Sequence, residues 1–330
     1  MLNDTAAPYQ GEGFERVYLH CLMGLAWLAQ GEAQDFLVEA RRSNELLERE
    51  EELYEKQYRA GGLGHFLSAV AYELIGEPGE ACIDYQRMIE KDLGTELAGR
   101  ALVRLARDLG RRDDAESYEA RFGPDYERPA DAASIVVVAG VGCGPYKVEG
   151  GLTLPTPAGV YQMAVAQYAS RPQPIDGLVL AIDGPGGTTR VETTLLEDVD
   201  AVARENLADR LAWQAAKSAA RGALKLALRK NLADDHGAAG ALAGDLFTLL
   251  TERADMRCWQ TLPGAWHAAR AFVPAGEWTL TLDAQGGERA ELGSFALEPG
   301  ETMFVLARTV ERRVHAHAVG GRALTPAVAP

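Results

Sequence analysis

The hydrophobic positions of this chain change their period near residue 123. Before it, apolar residues recur every three or four positions in successive stretches broken by Gly, Pro and acidic turns, which is the spacing of amphipathic helices. After it, short β-branched and alternating runs take over, which is the spacing of strands. The pattern predicts a helical region over 1–122. A Pro- and Gly-containing linker follows over 123–132, beginning Gly123-Pro-Asp-Tyr126, and then an α+β domain over 133–330.

Within the helical region the helix pairs repeat. Gly76-Glu-Pro-Gly-Glu-Ala81 and Gly110-Arg-Arg-Asp-Asp-Ala115 place the same glycine and the same alanine 34 residues apart, the period of tetratricopeptide arrays. Each unit of such an array needs a tight turn after its first helix and a small side chain where its helices cross. In 62–95 Ala69, Tyr72 and Tyr85 suit the small and aromatic positions. Gly24, Trp27 and Gly31 suit an earlier copy at 17–50, although Phe36 stands where alanine is expected, and Ala115 and Phe122 suit 96–122. A stacked array of this kind presents a groove to a protein partner and carries no reaction chemistry of its own. Arg100, Arg104 and Arg107 fall where repeat geometry turns side chains toward that groove, either to bind peptide carboxylates or as plain surface charge.

The second region opens with Ser134-Ile-Val-Val-Val-Ala139, a buried-strand signature, followed by strands expected at 146–154, 177–183 and 188–195. Asp183-Gly-Pro-Gly-Gly187 joins the last two as a turn. The period then becomes helical over 197–231 and 238–253, before strands at 266–273, 277–283, 291–297 and 302–309. The expected architecture is therefore N-terminal tetratricopeptide-like helical repeats followed by a β-rich, sandwich-like body with an inserted helical hairpin. The 197–231 helix opens with Glu197, Asp198 and Asp200, which suit the positive end of its dipole. It later carries Lys217, Arg221, Lys225 and Arg229 at four-residue intervals, one basic stripe. That stripe is either a solvated face or a contact for an anionic surface such as lipid headgroups, which would give peripheral membrane association.

Composition narrows the partner class. The 330 residues are 47% hydrophobic and 25% charged, enough for two cored domains. The net charge is −15, about −11 of it within residues 1–130, and a surface of that sign argues against nucleic acid as a partner. Cys21, Cys82, Cys143 and Cys258 are scattered without a Cys-x-x-Cys pair, so neither a zinc site nor a disulfide scaffold follows. As it starts at Met1, the chain shows no export signal and no run long enough to span a bilayer, which by itself points to the cytoplasm.

Candidate chemistry is sparse. The sequence has no Gly-x-Ser-x-Gly elbow, no His-Glu-x-x-His and no phosphate loop. Gly140-Val-Gly-Cys-Gly144 follows a strand, but Pro145-Tyr-Lys-Val after it reads as a turn and another strand, not the helix a dinucleotide site needs. His315 and His317 share one strand face without a third ligand in view, while Asp234-Asp235-His236, Asp113 and Asp114 sit in helix breaks where caps are expected. No catalytic, metal or cofactor residue is therefore assigned. The densest string is Asp255-Met-Arg-Cys-Trp-Gln-Thr-Leu-Pro263, running on to Arg270. There Trp259, Leu262 and Pro263 are expected to plug a helix-to-strand junction, with Asp255, Arg257 and Arg270 as a buried ion pair beneath. The alternative is a ligand cleft near Asp255 to Trp259, belonging to a small-molecule binder or an enzyme.

Asp255 to Pro263, followed by Ala269-Arg-Ala-Phe-Val-Pro-Ala-Gly276, resembles an uncharacterised bacterial family of tetratricopeptide-containing envelope proteins, many of them lipoproteins. Val38-Glu-Ala-Arg-Arg-Ser-Asn44 and Pro8-Tyr-Gln-Gly-Glu-Gly-Phe-Glu15 are similar to other strings of that family. The resemblance implies a lipid-anchored, periplasm-facing envelope protein. It brings no catalytic residues with it, and the family's usual signal and acylated cysteine are not seen in this sequence. The combined expectation is a non-enzymatic scaffold or adaptor that binds a protein partner through helical repeats.

Overall fold

A computed structural model of the protein describes residues 8–56, 58–126, 128–156, 159–211 and 255–325. Lys217, Arg221, Lys225, Arg229, the Asp234-Asp235-His236 break and the helix expected at 238–253 lie outside the described residues. The protein is a mixed α+β structure, with a helical N-terminal region followed by β-sheets.

Six helices occupy the N-terminal region: α1 (Gly13–Ala29), α2 (Ala33–Tyr54), α3 (Gly62–Leu74), α4 (Pro78–Glu90), α5 (Thr95–Asp108) and α6 (Arg112–Phe122). Each packs on the next in sequence. Local chemistry sets their ends. The Glu15 carboxylate accepts the Glu12 N–H at 2.9 Å, half of a capping box at the start of α1. Pro78 opens α4, where its missing N–H costs nothing. Gly31, Gly76 and Gly110 close the first helix of each pair with φ of +81°, +81° and +71°, a conformation that other residues adopt only with strain. Ala69 and Ala81 are wholly buried, and Ala115 nearly so, where the helices touch.

The β region contains β1 (Ala132–Val141), β2 (Tyr146–Thr156), β3 (Gly159–Ala169), β4 (Leu178–Gly184), β5 (Gly187–Glu192), β6 (Thr194–Asp198), β7 (Ala265–Pro274), β8 (Gly276–Ala284), β9 (Arg289–Leu297), β10 (Thr302–Val310), β11 (Arg313–Val319) and β12 (Arg322–Ala323). One sheet has the order β11-β10-β1-β7-β6 and a second the order β12-β9-β8-β4-β5, while β2 and β3 form a two-stranded ribbon. β1 explains its own sequence. Val136 and Val138, with Trp266, Ala268 and Phe304, join the core of the helices. Ile135, Val137 and Ala139, with Ala269, Ala271 and Val305, join the core between the two sheets. A strand buried on both faces needs a continuous apolar run in place of an alternating one. The result is three layers, with the first sheet sandwiched between the helices and the second sheet.

Several boundaries differ from those the sequence suggests. β3 and β12 go unrecognised there, and β11 is anticipated only as the strand face that carries His315 and His317. The run expected as one strand over 188–195 splits at Thr193, because β5 belongs to the second sheet and β6 to the first. Glu197 and Asp198 end β6, and the helix α7 begins only at residue 199 and is described to 211. Asp198 caps it, its Oδ1 accepting the N–H of Asp200 and Ala201 at 3.0 and 3.1 Å. Glu197 is instead buried against another helix, accepting the N–H of Gly61 at 2.8 Å and of Leu63 at 3.3 Å at the start of α3.

Candidate binding cleft

The helical layer and the first sheet are joined by charge as well as by apolar packing. Arg270 sits on the face of β7 that looks at the helices, since alternate residues Trp266, Ala268 and Arg270 point that way. Its Nη1 donates to Glu73 of α3 at 2.8 Å and its Nε to Ser134 Oγ at 3.1 Å. Arg104 of α5 donates to the other Glu73 oxygen at 2.7 Å, and the Tyr85 hydroxyl adds a bond to Glu73 at 2.8 Å. All of this is buried, with Arg104 and Arg270 only 5% and 6% exposed. Burial pushes the Glu73 carboxyl up in pKa, but the guanidiniums of Arg270 and Arg104 more than offset it and hold it at about 2.

Beside this cluster lies a cleft of about 650 Å³. Three elements wall it. α5 contributes Glu96, Leu97 and Arg100, which share one helix face. The inner side of β5 contributes Thr189 and Val191, continuing into Thr193, and β7 contributes Ala269 to Phe272. Tyr126, in the segment joining the helices to β1, closes the top. The Arg100 guanidinium lies over the Tyr126 ring at 4.1 Å from its centroid and forms no ion pair among the described residues, although the carboxylates of Glu96 and Glu192 also line the cleft. Tyr126 in turn packs on Phe272, centroids 5.2 Å apart, and Arg104, Arg128 and Arg270 all lie within 6 Å of the Phe272 ring. A smaller cavity of about 220 Å³ adjoins, sharing Arg270 and Phe272 and lined also by Glu73, Ser134 and Thr302.

The three α5 arginines thus have three environments. Arg100 faces the cleft. Arg104, expected at an open groove, is instead an internal ion-pair residue, because the sheet covers that side of α5. Arg107 is surface-exposed and bridges Glu119 at 2.5 Å and Asp125 at 3.6 Å.

The junction string divides likewise. Asp255 and Arg257 pair at 2.7 Å, but half-exposed and not buried as expected, and Arg257 lies over the Tyr9 ring. Arg270 does not join them, since its face of β7 brings it to Glu73. The Trp259 N–H donates to Glu15 at 2.7 Å and its indole N–H to Thr261 at 2.7 Å, while Leu262 and Pro263 are buried. The string thereby fixes the start of β7 against α1. Neither of the two cavities above is lined by Asp255 to Trp259. Glu73, Tyr126 and Phe272, which sequence reading did not single out, are the residues that organise the cleft. The one available signal was the alternation of Arg270 and Phe272 on β7.

His315 and His317 are both exposed on β11, and among the described residues no group of three or more His, Cys, Asp or Glu is placed to hold a metal ion. The glycine run bends β1 into β2: Gly142, at φ +64°, donates to Thr309 Oγ1 at 2.8 Å, and Gly144 donates to the Leu262 carbonyl at 2.7 Å. Among the described residues no helix is long and apolar enough to cross a membrane. No protein-family model, curated protein or solved structure matches the chain.

Proposed function

We propose that this protein is a non-enzymatic adaptor that holds a protein partner in the cleft between α5, β5 and β7. In this reading the helix pairs at 62–95 and 96–122, with a weaker copy at 17–50, are tetratricopeptide-like repeats whose far side is covered by the sheet, so the partner meets the edge of the array and not a long open groove. An envelope location, following the family likeness, is part of the proposal. The observation that carries it is Arg100, a guanidinium stacked on Tyr126 at the mouth of a 650 Å³ cleft and without an ion-pair partner among the described residues. Cations so placed are common anchors for a partner's carboxylate or aromatic group.

The test is a photo-crosslinking amino acid placed at Thr189, inside the cleft, and separately at Glu298, an exposed position outside its walls, with the protein expressed in its own cells. A discrete higher-mass adduct from Thr189 that is absent from Glu298 and lost with Arg100→Glu supports the reading. Equal adducts from both positions, or none from Thr189, refute it.

A further inference from the structure

The smaller cavity, of about 220 Å³, lies between α3 and the first sheet. Its floor is a row across three strands: Phe272 of β7 pairs with Ser134 of β1, and Ser134 with Thr302 of β10. Residues paired across a sheet share a face, and Arg270, two positions before Phe272, lies on that face as well. The roof is Val70, Glu73 and Leu74 of α3, at the spacing that gathers side chains on one side of a helix. Gly300, also in the lining, is exposed, so the cavity reaches solvent on that side. The polar groups of the floor are donors in want of acceptors. Arg270 gives its Nε–H to Ser134 and its Nη1 to Glu73, and among the described residues nothing accepts from its Nη2. Ser134, which accepts that Nε–H, still has its own hydroxyl hydrogen to give, and the Thr302 hydroxyl has no protein partner among the described residues.

Charge runs the same way. Two buried guanidiniums, Arg104 and Arg270, share the single Glu73 carboxylate, whose oxygens are engaged by Arg270, Arg104 and Tyr85, and the buried Arg104 Nε has no partner. Asp108 comes only to 4.0 Å from Arg104 and is held by two hydrogen bonds from Arg128. Glu301, beside Thr302, turns its carboxylate oxygens to the N–H groups of Glu298 and Gly321. Glu96 and Glu192 are exposed and line the larger cleft, not this cavity. We infer that the cavity binds a short-chain carboxylate, its carboxylate on Arg270 Nη2 and the Ser134 and Thr302 hydroxyls, its hydrocarbon tail along Val70, Leu74 and Phe272. An ionised acceptor makes the strongest hydrogen bonds to such donors and balances the second guanidinium. Inorganic phosphate would meet the same donors but leave the apolar wall without a contact. The volume is below the roughly 300–1,000 Å³ of sites for drug-sized ligands, which limits the tail to a few carbons. The site adjoins the partner cleft through Arg270 and Phe272 and does not depend on the adaptor reading.

The experiment uses the full chain and isothermal titration calorimetry with straight-chain carboxylates from acetate to octanoate, the primary amide of the tightest of them, and inorganic phosphate. Affinity should rise with chain length to an optimum and fall again before octanoate, as the tail outgrows the cavity. The amide, which keeps the shape and loses the charge, should bind about tenfold more weakly or worse, and phosphate should give no measurable heat. Thr302→Val, which keeps the side-chain shape and removes one hydroxyl at a half-buried position, should weaken the best carboxylate severalfold while leaving the melting temperature of the free protein unchanged. The site itself is read by nuclear Overhauser contacts from the ligand's terminal methyl group to the Phe272 ring and the Val70 and Leu74 methyls. No binding by any carboxylate, equal binding of carboxylate and amide, or ligand contacts to other residues overturns the inference. Phosphate binding as tight as the best carboxylate, and weakened by Thr302→Val, also overturns it and assigns the cavity to an inorganic oxyanion. The crosslink at Thr189 bears on the adaptor reading alone, so either proposal can fail without the other.

Discussion

Glu73→Gln isolates the charge that ties the helices to the sheet. The substitution keeps the shape of the side chain and leaves Arg104 and Arg270, each almost fully buried, without their shared anion. The gap between an ordinary glutamate at 4.5 and the Glu73 value of about 2 corresponds to about 3 kcal/mol, at about 1.4 kcal/mol per pH unit. Because the folded-state pKa is depressed, that stabilisation is fully present above about pH 4.5 and disappears as pH falls through 2. At pH 7 the variant should lose about 3 to 5 kcal/mol, the range for removing one partner of a buried pair. Urea midpoints followed by circular dichroism at several pH values from 7 to 2 should then show the two proteins converging by about 3 kcal/mol at the acid end. A gap that stays constant with pH would mean that Glu73 contributes through shape or hydrogen bonding alone, and the electrostatic account would be wrong.

Four other substitutions probe the same framework. Lys147→Met removes one of the two cations on Glu12, in a pair whose side chains are 1% and 3% exposed. Arg210 still holds the carboxylate, so calorimetry should show a smaller loss than Glu12→Gln, which strands the buried lysine and should cost about 3 to 5 kcal/mol. Gly62→Ala would drive a methyl to 2.3 Å from the Leu196 carbonyl oxygen, so the melting temperature should fall by an amount equivalent to about 1 to 3 kcal/mol; an unchanged melt would disprove the close approach of α3 and β6. Glu197 is raised above 4.5 by burial, against the lowering effect of the Gly61 and Leu63 N–H groups. Its contribution to stability is therefore greatest below about pH 4.5 and declines as pH rises through the raised value. Relative to the native protein, Glu197→Gln should gain in stability between pH 4 and pH 8, and a difference independent of pH would contradict this.

What could be read from the sequence follows from the range of the interactions involved. The helices were legible because their determinants are local: Gly76 and Gly110 at positive φ, Pro78 at a first turn, Ala81 and Ala115 at crossings. β1 was legible because burial on both faces writes an unbroken apolar run. The split of 188–195 was not, because nothing in Thr193 itself signals that the chain changes sheets there. Arg100 lines an opening walled by β5 and β7 and not the groove of a helical array, and the burial of Arg104 one turn later depends on Glu73 and on a strand whose Arg270 lies 197 positions from that glutamate, neither of which the local sequence records. Asp255 and Arg257 pair as neighbours in sequence do. Arg270 left that group because its direction is set by strand alternation and by the layer it faces, neither of which a local string records.

The neighbours of β1 also set a schedule for the chain's synthesis. This strand, apolar on both faces, pairs with β7 and, in parallel, with β10, and both leave the ribosome more than 120 residues after it. At cellular elongation rates that leaves it unpaired for on the order of ten seconds. The six helices can form within that interval from local contacts, but the surface they offer the sheet stays bare until β10 arrives. Formation of the first sheet is therefore bound to a late, long-range event. Ser134 to Val141 would be the segment most exposed to self-association in a nascent or truncated chain, and it is where a chaperone would be expected to bind first.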